Sequence, residues 1–365
     1  MKVTSLSLLN FRNIENAQLN FDDGVNIIFG ENGQGKTNIL EAVWLCGGFK
    51  SFRKSREKEF IKFGSDFAKI DVDFYAQKRE QDISLIYSQN KRIKLNSVIK
   101  KSNSELIGAL GCVVFSPSYL SLVSGSPAER RKFCDIALCR TIIGYSSLLS
   151  EYNKTLLQRN SFLKDLKYHP ELYEMLDVWN DRLAEYSCII SDERKKYIES
   201  LNEKTSVIYS GLSSDTEELK LTYKVKMPFG YSSDKEMTKK YFINLLKICE
   251  SDDRRFCCAS VGAHRDDVEI LINSVPARNF GSQGQQRSAA LAMKLGEAEL
   301  LAEYNGEQPV ILLDDVMSEL DVKRQNYILN NIKDRQVLIT CCEPSSVMRL
   351  CSGKTFHIQS GKVLK

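Results

Sequence analysis

The sequence predicts an α/β fold: a strand–loop–helix head interrupted by a mostly helical lobe. Three observations carry this. Val25–Phe29 is a short apolar run that leads straight into the octet "GENGQGKT" (residues 30–37), after which apolar residues recur at helical spacing. A second apolar run, 310–313, ends in two carboxylates, as a buried parallel strand does. Between them, residues 116–250 are dominated by apolar positions three and four apart.

Composition narrows the class. The chain has 365 residues, 42% hydrophobic and 27% charged, which is ordinary for a globular protein. No apolar run approaches the roughly 20 residues that cross a bilayer, so no membrane partner is expected. The opening "MKVTSLSLLNFRN" carries polar residues throughout and no small-residue cleavage site. It reads as a strand, and the expected location is the cytoplasm. The 11 cysteines are odd in number and none is spaced C-x-x-C, which fits buried, reduced thiols. Three histidines, far apart, argue against zinc. A net charge of +4 does not by itself diagnose nucleic acid.

The octet is Gly30, Glu31, Asn32, Gly33, Gln34, Gly35, Lys36 and Thr37. It meets the pattern G-x-x-x-x-G-K-[ST]. Glycines let the backbone wrap so that its N–H groups face phosphate oxygens, the lysine reaches the β- and γ-phosphates, and the Thr37 hydroxyl ligates Mg²⁺. Ile39, Leu40, Val43 and Trp44 then mark a helix that Gly47 and Gly48 stop. A helix N-terminus adds its dipole to the anion site. At the end of the 310–313 run, Asp314 is placed to hold Mg²⁺ and Asp315 to polarise an attacking water.

Upstream, "NFGSQGQQRSAALAMKLGEAELLAEYNG" (279–306) reads as a polar loop and then a helix, with Leu291, Leu295, Ala298 and Leu301 on one face. Ser282, Gly284 and Gln285 precede that helix. Such a serine is either an N-cap or part of a second anion site. Two phosphate-grasping helix ends in one chain suggest a dimer that shares each nucleotide.

The order of these pieces resembles the ABC-type ATPases of the SMC-like branch, and more closely the RecF family. The carrying stretches are "LLNFRNIENAQLNF", "GENGQGKTNILEA", "VVFSPSYLSLVSGSPAERRKFCD", "GAHRDD", "SQGQQRS" and "LLDDVMSELD". The resemblance implies ATP and Mg²⁺ as cofactors and an ATP-dependent homodimer. It implies weak, DNA-stimulated hydrolysis and DNA as partner, single- or double-stranded and gapped, in recombinational repair with RecO and RecR. It makes Ser282, Gly284 and Gln285 the signature that acts in trans, Ser318 and Asp321 the ends of the D-loop, and Arg12 a nucleotide-phosphate contact. It moves Lys50, Arg53, Lys54 and Arg56 from a solvated face toward a DNA contact. Departures are Ala263 where the family has proline, and Cys341 and Cys342 where it often has threonines. Thr340 is the one candidate for a γ-phosphate sensor, no Q-loop glutamine stands out, and His264, Arg265, Asp266 and Asp267 receive no role.

The division expected is an ATP-binding head from 1–115 plus 251–365, with 116–250 inserted as a helical lobe. In the lobe, Leu149, Tyr152, Leu156, Leu163 and Leu166 form one stripe, interrupted at Arg159. Pro170 starts a second helix, in which Leu172, Leu176, Trp179, Leu183, Tyr186, Ile190, Tyr197 and Leu201 continue the spacing. The pair predicts an antiparallel hairpin, and the spacing alone fits an ordinary helical core equally well. The alternatives are the ATPase subunit of a transporter, another SMC-like repair ATPase, a P-loop kinase, and a DNA-binding protein with a dead site. The "NFRN" stretch has no role in the first, "SQGQQ" none in the kinase, and the intact Lys36, Thr37, Asp314 and Asp315 argue against the last.

Overall fold

The computed structural model describes residues 1–225, 235–349 and 352–364. Cys351 and residues 226–234 of the predicted lobe lie outside the described residues.

The chain opens on antiparallel strands β1 (Lys2–Phe11) and β2 (Ile14–Asn20). Strand β3 (Val25–Phe29) enters a different sheet and delivers the octet, after which helix α1 (Lys36–Cys46) begins. β4 (Ala68–Ala76), β5 (Arg79–Tyr87), β6 (Arg92–Leu95) and β7 (Val98–Lys100) return to the first sheet, whose order is β2-β1-β4-β5-β6-β7. β8 (Cys112–Phe115) goes back to the sheet of β3.

A helical stretch follows: α2 (Ser121–Ser124), α3 (Pro127–Thr141), α4 (Tyr145–Asp165) and α5 (Leu176–Ser213). Then come β9 (Leu219–Lys224), α6 (Lys235–Ile248), α7 (Glu250–Phe256), β10 (Asp267–Ile272), β11 (Val275–Pro276), α8 (Ala277–Phe280) and α9 (Gln283–Asn305). The chain closes with β12 (Val310–Asp314), α10 (Val322–Asn331), β13 (Val337–Cys341), α11 (Pro344–Met348), β14 (Lys354–Gln359) and β15 (Lys362–Leu364).

Contacts divide the chain into two units, Met1–Leu120 with Ile208–Thr216 and Ala290–Lys365, and Ser121–Val207 with Glu217–Ala289. Residues 251–289, which the sequence reading gives to the head, pack with the second unit.

In the first unit the second sheet has the order β15-β14-β3-β13-β12-β8, and all its pairings but β14–β15 are parallel. A parallel sheet is covered on both faces, so its strands are apolar throughout. β8, β12 and β13 are buried at every residue. Helix α1 touches β4 and β5 of one sheet and β8, β12 and β13 of the other. That placement explains why every α1 residue but Thr37 is buried, a helix with no solvent face.

The second unit holds the three-stranded sheet β11-β10-β9, against which α3 packs. The predicted hairpin forms between α4 and α5, with Leu163, Leu166 and Leu176 fully buried against Phe162 and Leu172. Pro170 opens a 3₁₀ turn, Pro170–Met175, and α5 starts after it. Arg159 does not interrupt the α4 stripe. It is wholly buried on it, its guanidinium 2.9 Å from Asp253 of α7 and 2.8 Å from Asn180 of α5. A buried guanidinium needs this pairing.

The "GAHRDD" stretch is the polar centre of this unit. Asp267 receives two hydrogen bonds from Arg130, at 2.7 and 3.0 Å, and the Asp266 carboxylate accepts from Ser191 at 2.5 Å and Tyr223 at 2.8 Å. His264 lies 2.6 Å from the Tyr152 hydroxyl and 3.0 Å from the Ala259 carbonyl. Burial holds its imidazole down at about 4. Ala263 sits in a 3₁₀ turn, Ala263–Arg265, without needing proline.

No helix among the described residues is long and apolar enough to cross a membrane. The ten described cysteines are free thiols, and no group of three or more His, Cys, Asp or Glu among the described residues could hold a metal.

Candidate nucleotide-binding site

The parallel register assembles the site. Ile28 lies opposite Thr340, and Thr340 opposite Asp314, so the C-terminal ends of β3, β13 and β12 come level. Ligands of open α/β sheets gather at that end. Gly30 leaves β3 at φ 151, and a Cβ there would come within 2.2 Å of the Ile358 carbonyl oxygen, so only glycine fits. The octet then wraps into the first turn of α1.

Lys36 is buried, and its ammonium donates to the Gly30 carbonyl at 2.6 Å and the Glu31 carbonyl at 2.9 Å. The loop's own carbonyls thus hold the charge over the loop. Thr37 donates to the Asp314 carboxylate at 2.7 Å, and Thr340 donates to the same oxygen at 3.0 Å. Burial pushes the Asp314 carboxyl above its ordinary range, the two threonine hydrogen bonds oppose this, and the neighbouring Asp315 adds to it. A threonine hydroxyl beside one carboxylate is the hard-oxygen pair that suits Mg²⁺ with phosphate oxygens and water completing the shell.

Asp315 has φ 53, and its amide donates to the Thr340 hydroxyl at 2.9 Å. Ser318 donates to the Asp315 carbonyl at 2.8 Å, and Asp321 caps α10 by accepting from the Arg324 amide at 2.9 Å. These two D-loop positions therefore brace the turn after β12.

A cleft of about 740 Å³ opens here. Its lining includes Asn32, Gly33, Gln34, Gly35, Lys36, Thr37, Asp315 and Thr340, with Arg12 and Arg53. Six residues of the phosphate loop and Asp315, just after β12, thus share one cavity wall with Arg12. Arg12 is held by Glu41, with hydrogen bonds of 3.0 and 2.9 Å to its two oxygens. Arg53 is exposed as well as lining this cleft; it donates to Asn38 at 2.8 Å, with its guanidinium 4.0 Å from Glu41. Lys50, Lys54 and Arg56 are exposed.

Glu41 and Ser51, which hydrogen-bond each other, were not singled out by the sequence reading. The available signal was a lone carboxylate inside the apolar run "ILEAVWLC". Burial pushes the Cys341 thiol up to about 11, partly offset by Lys36. Cys342 is exposed, with its sulfur 3.8 Å from the Lys36 ammonium.

Ser282 is exposed at the start of α9. Its hydroxyl accepts from the Gln285 amide at 3.2 Å while the Gln285 side chain accepts from the Ser282 amide at 2.8 Å. This is a reciprocal capping box. Gln285 also donates to Glu217 at 2.7 Å.

A phosphate loop ahead of α1, an acidic pair at the end of β12 and a third parallel strand between them define a P-loop ATPase head of the ABC type, in its SMC-like form. The chain belongs to the RecF branch of the RecF/RecN/SMC N-terminal domain family, whose model matches residues 2–360. It is 42% identical to the DNA replication and repair protein RecF of Agathobacter rectalis over all of this chain and 99% of that one. It is 40% identical to RecF of Lachnoclostridium phytofermentans over 93% of this chain and 92% of that one. Among solved structures it superposes on the recombination mediator RecF bound to ATP, of the RecFOR pathway. The TM-score there is 0.91, with 36% identity over the whole of this chain and 97% of that one. An Smc head bound to the C-terminal winged-helix domain of ScpA shares the fold at TM-score 0.59 and 17% identity, over all of this chain and 97% of that one.

Proposed function

We propose that the chain is an ATP-gated, dimeric DNA clamp of recombinational repair that acts with RecO and RecR at gapped DNA. The observation that carries this is the meeting of Lys36, Thr37, Asp314, Asp315 and Arg12 at the ends of three parallel strands. The relatives' names, replication and repair proteins and an ATP-bound recombination mediator, support the same reading.

Lys36, Arg12 and the loop amides would bind the triphosphate. Thr37 and Asp314 would hold Mg²⁺, which neutralises phosphate charge when bound. Asp315 would orient the attacking water and take its proton. Ser282 of a second copy would close over the γ-phosphate, so that ATP joins two copies and hydrolysis parts them. The helical insert, 116–250 by the sequence reading, would be the arm of each half-clamp. DNA would be held through phosphates, without base readout.

The test is DNA binding, to duplex and to gapped substrate, with and without ATP across a salt series. The expected result is tighter binding in ATP, with log K falling linearly against log salt, and loss of the ATP effect in Lys36→Met. Equal binding with and without ATP in the parent chain would sink the clamp.

A further inference from the structure

We propose that Phe63 is the stacking platform for the purine base of the bound nucleotide; this rests on the cleft being the ATP site. The side chain is 103% exposed, yet it lines the same cleft as Lys36, Thr37 and Asp315. Among the described residues lining that cleft Phe63 is the only aromatic one, and most of the others are polar. An aromatic ring in a polar ligand cleft suits the one part of a nucleoside triphosphate that is flat and apolar-faced. Base–aromatic stacking is worth roughly 5- to 100-fold in affinity.

The backbone fixes where the ring stands. Ile61 bridges to Phe11 at the end of β1, and the Lys62 amide donates to the Asn10 carbonyl at 2.9 Å. The Ser65 amide then closes on the Lys62 carbonyl at 3.0 Å, with Gly64 at φ 83. This is a tight turn with Phe63 at its first corner and a left-handed glycine at its second, the type II arrangement. Lys62 is tied to Glu15 at 2.8 Å. Arg12, on the same cleft, donates to the Glu59 carbonyl at 3.2 Å, which links the phosphate-side cation to the segment carrying Phe63. The ring and Arg12 are thus both anchored on β1 and the turn that follows it. The ring is presented before any ligand arrives, so stacking costs little ordering.

The experiment compares ATP with inorganic tripolyphosphate, both with Mg²⁺, by calorimetric titration of the full chain as parent, Phe63→Ala and Phe63→Tyr. Phe63→Ala should weaken ATP 5- to 100-fold and leave tripolyphosphate unchanged, and Phe63→Tyr should bind both as the parent does. Because the side chain is fully exposed, its removal empties no core, and an unchanged melting temperature checks this. Parental ATP affinity in Phe63→Ala would overturn the platform, and so would equal losses for ATP and tripolyphosphate. A parent that binds tripolyphosphate as tightly as ATP would overturn the platform while leaving the phosphate site standing. A parent that binds neither would overturn the nucleotide site itself.

Discussion

Asp315 holds a left-handed backbone, φ 53, that a non-glycine residue adopts at a cost of order 1–3 kcal/mol. Its amide on Thr340 and its carbonyl under Ser318 fix that turn, and the side chain lines the cleft beside Lys36. Asp314, one residue earlier, is buried and engaged by Thr37 and Thr340. The two carboxylates therefore stand in different surroundings, and different roles are expected of them. Asp315→Asn keeps shape and a hydrogen bond but takes no proton. It should hydrolyse ATP roughly 10²- to 10⁴-fold more slowly while binding it within a few-fold of the parent. Single-turnover phosphate release beside an ATP titration decides this, and near-parental release would remove Asp315 from the chemistry. These residues were legible because each motif is contiguous in the chain. The tie from Thr340 to Asp314 was not, because strand register makes it across 26 residues of sequence.

Helix α1 shows what an element adds. Its apolar pattern marked it as a helix, but its all-round burial follows from lying between two sheets, which no single-helix pattern reports. One consequence is Glu41, fully buried and bound to Arg12, whose side chain is 12% exposed. Removing one partner strands the other, so Glu41→Ala should cost about 3 kcal/mol in chemical denaturation. The double variant with Arg12→Ala should lose less than the sum of the two singles. Strict additivity would show that the pair contributes nothing. Helix α4 carries the same lesson, since its arginine read as a break and proves to be a buried partner of Asp253.

The turn after α7 allows a pH prediction. His264 is held at about 4 by burial, with Arg265 and Arg131 adding to the depression and Asp253 opposing it. An unfolded histidine titrates near 6.5. Between those values the unfolded chain binds more protons, so stability rises with pH and is lost as pH falls from about 6.5 toward 4. The full effect is roughly 3 kcal/mol. Denaturation midpoints at pH 7 and pH 5 should differ less in His264→Gln than in the parent, and an unchanged difference would show that this imidazole does not drive the slope.

At the scale of the whole molecule, the order of motifs foretold the family. The boundary at 251–289 was not legible, because β10 pairs with β9 across more than 40 residues and so draws the "GAHRDD" stretch into the second unit. The same chain carries a complete phosphate loop and, at the start of α9, an exposed serine cap. If two copies share each nucleotide, that cap is the element that senses a partner's γ-phosphate. Ser282→Arg would place a long cation and lose the hydroxyl that accepts from Gln285. The lost cap costs about 1 kcal/mol, too little to unfold the chain. The variant should therefore bind ATP as a monomer with parental affinity, fail to sediment as a dimer in ATP, and lose ATP-dependent DNA binding. Sedimentation velocity in ATP, with Asp315→Asn added to suppress turnover, separates association from hydrolysis. A Ser282→Arg chain that still dimerises in ATP would refute the shared nucleotide, and one that no longer binds ATP at all would place Ser282 in its own chain's site.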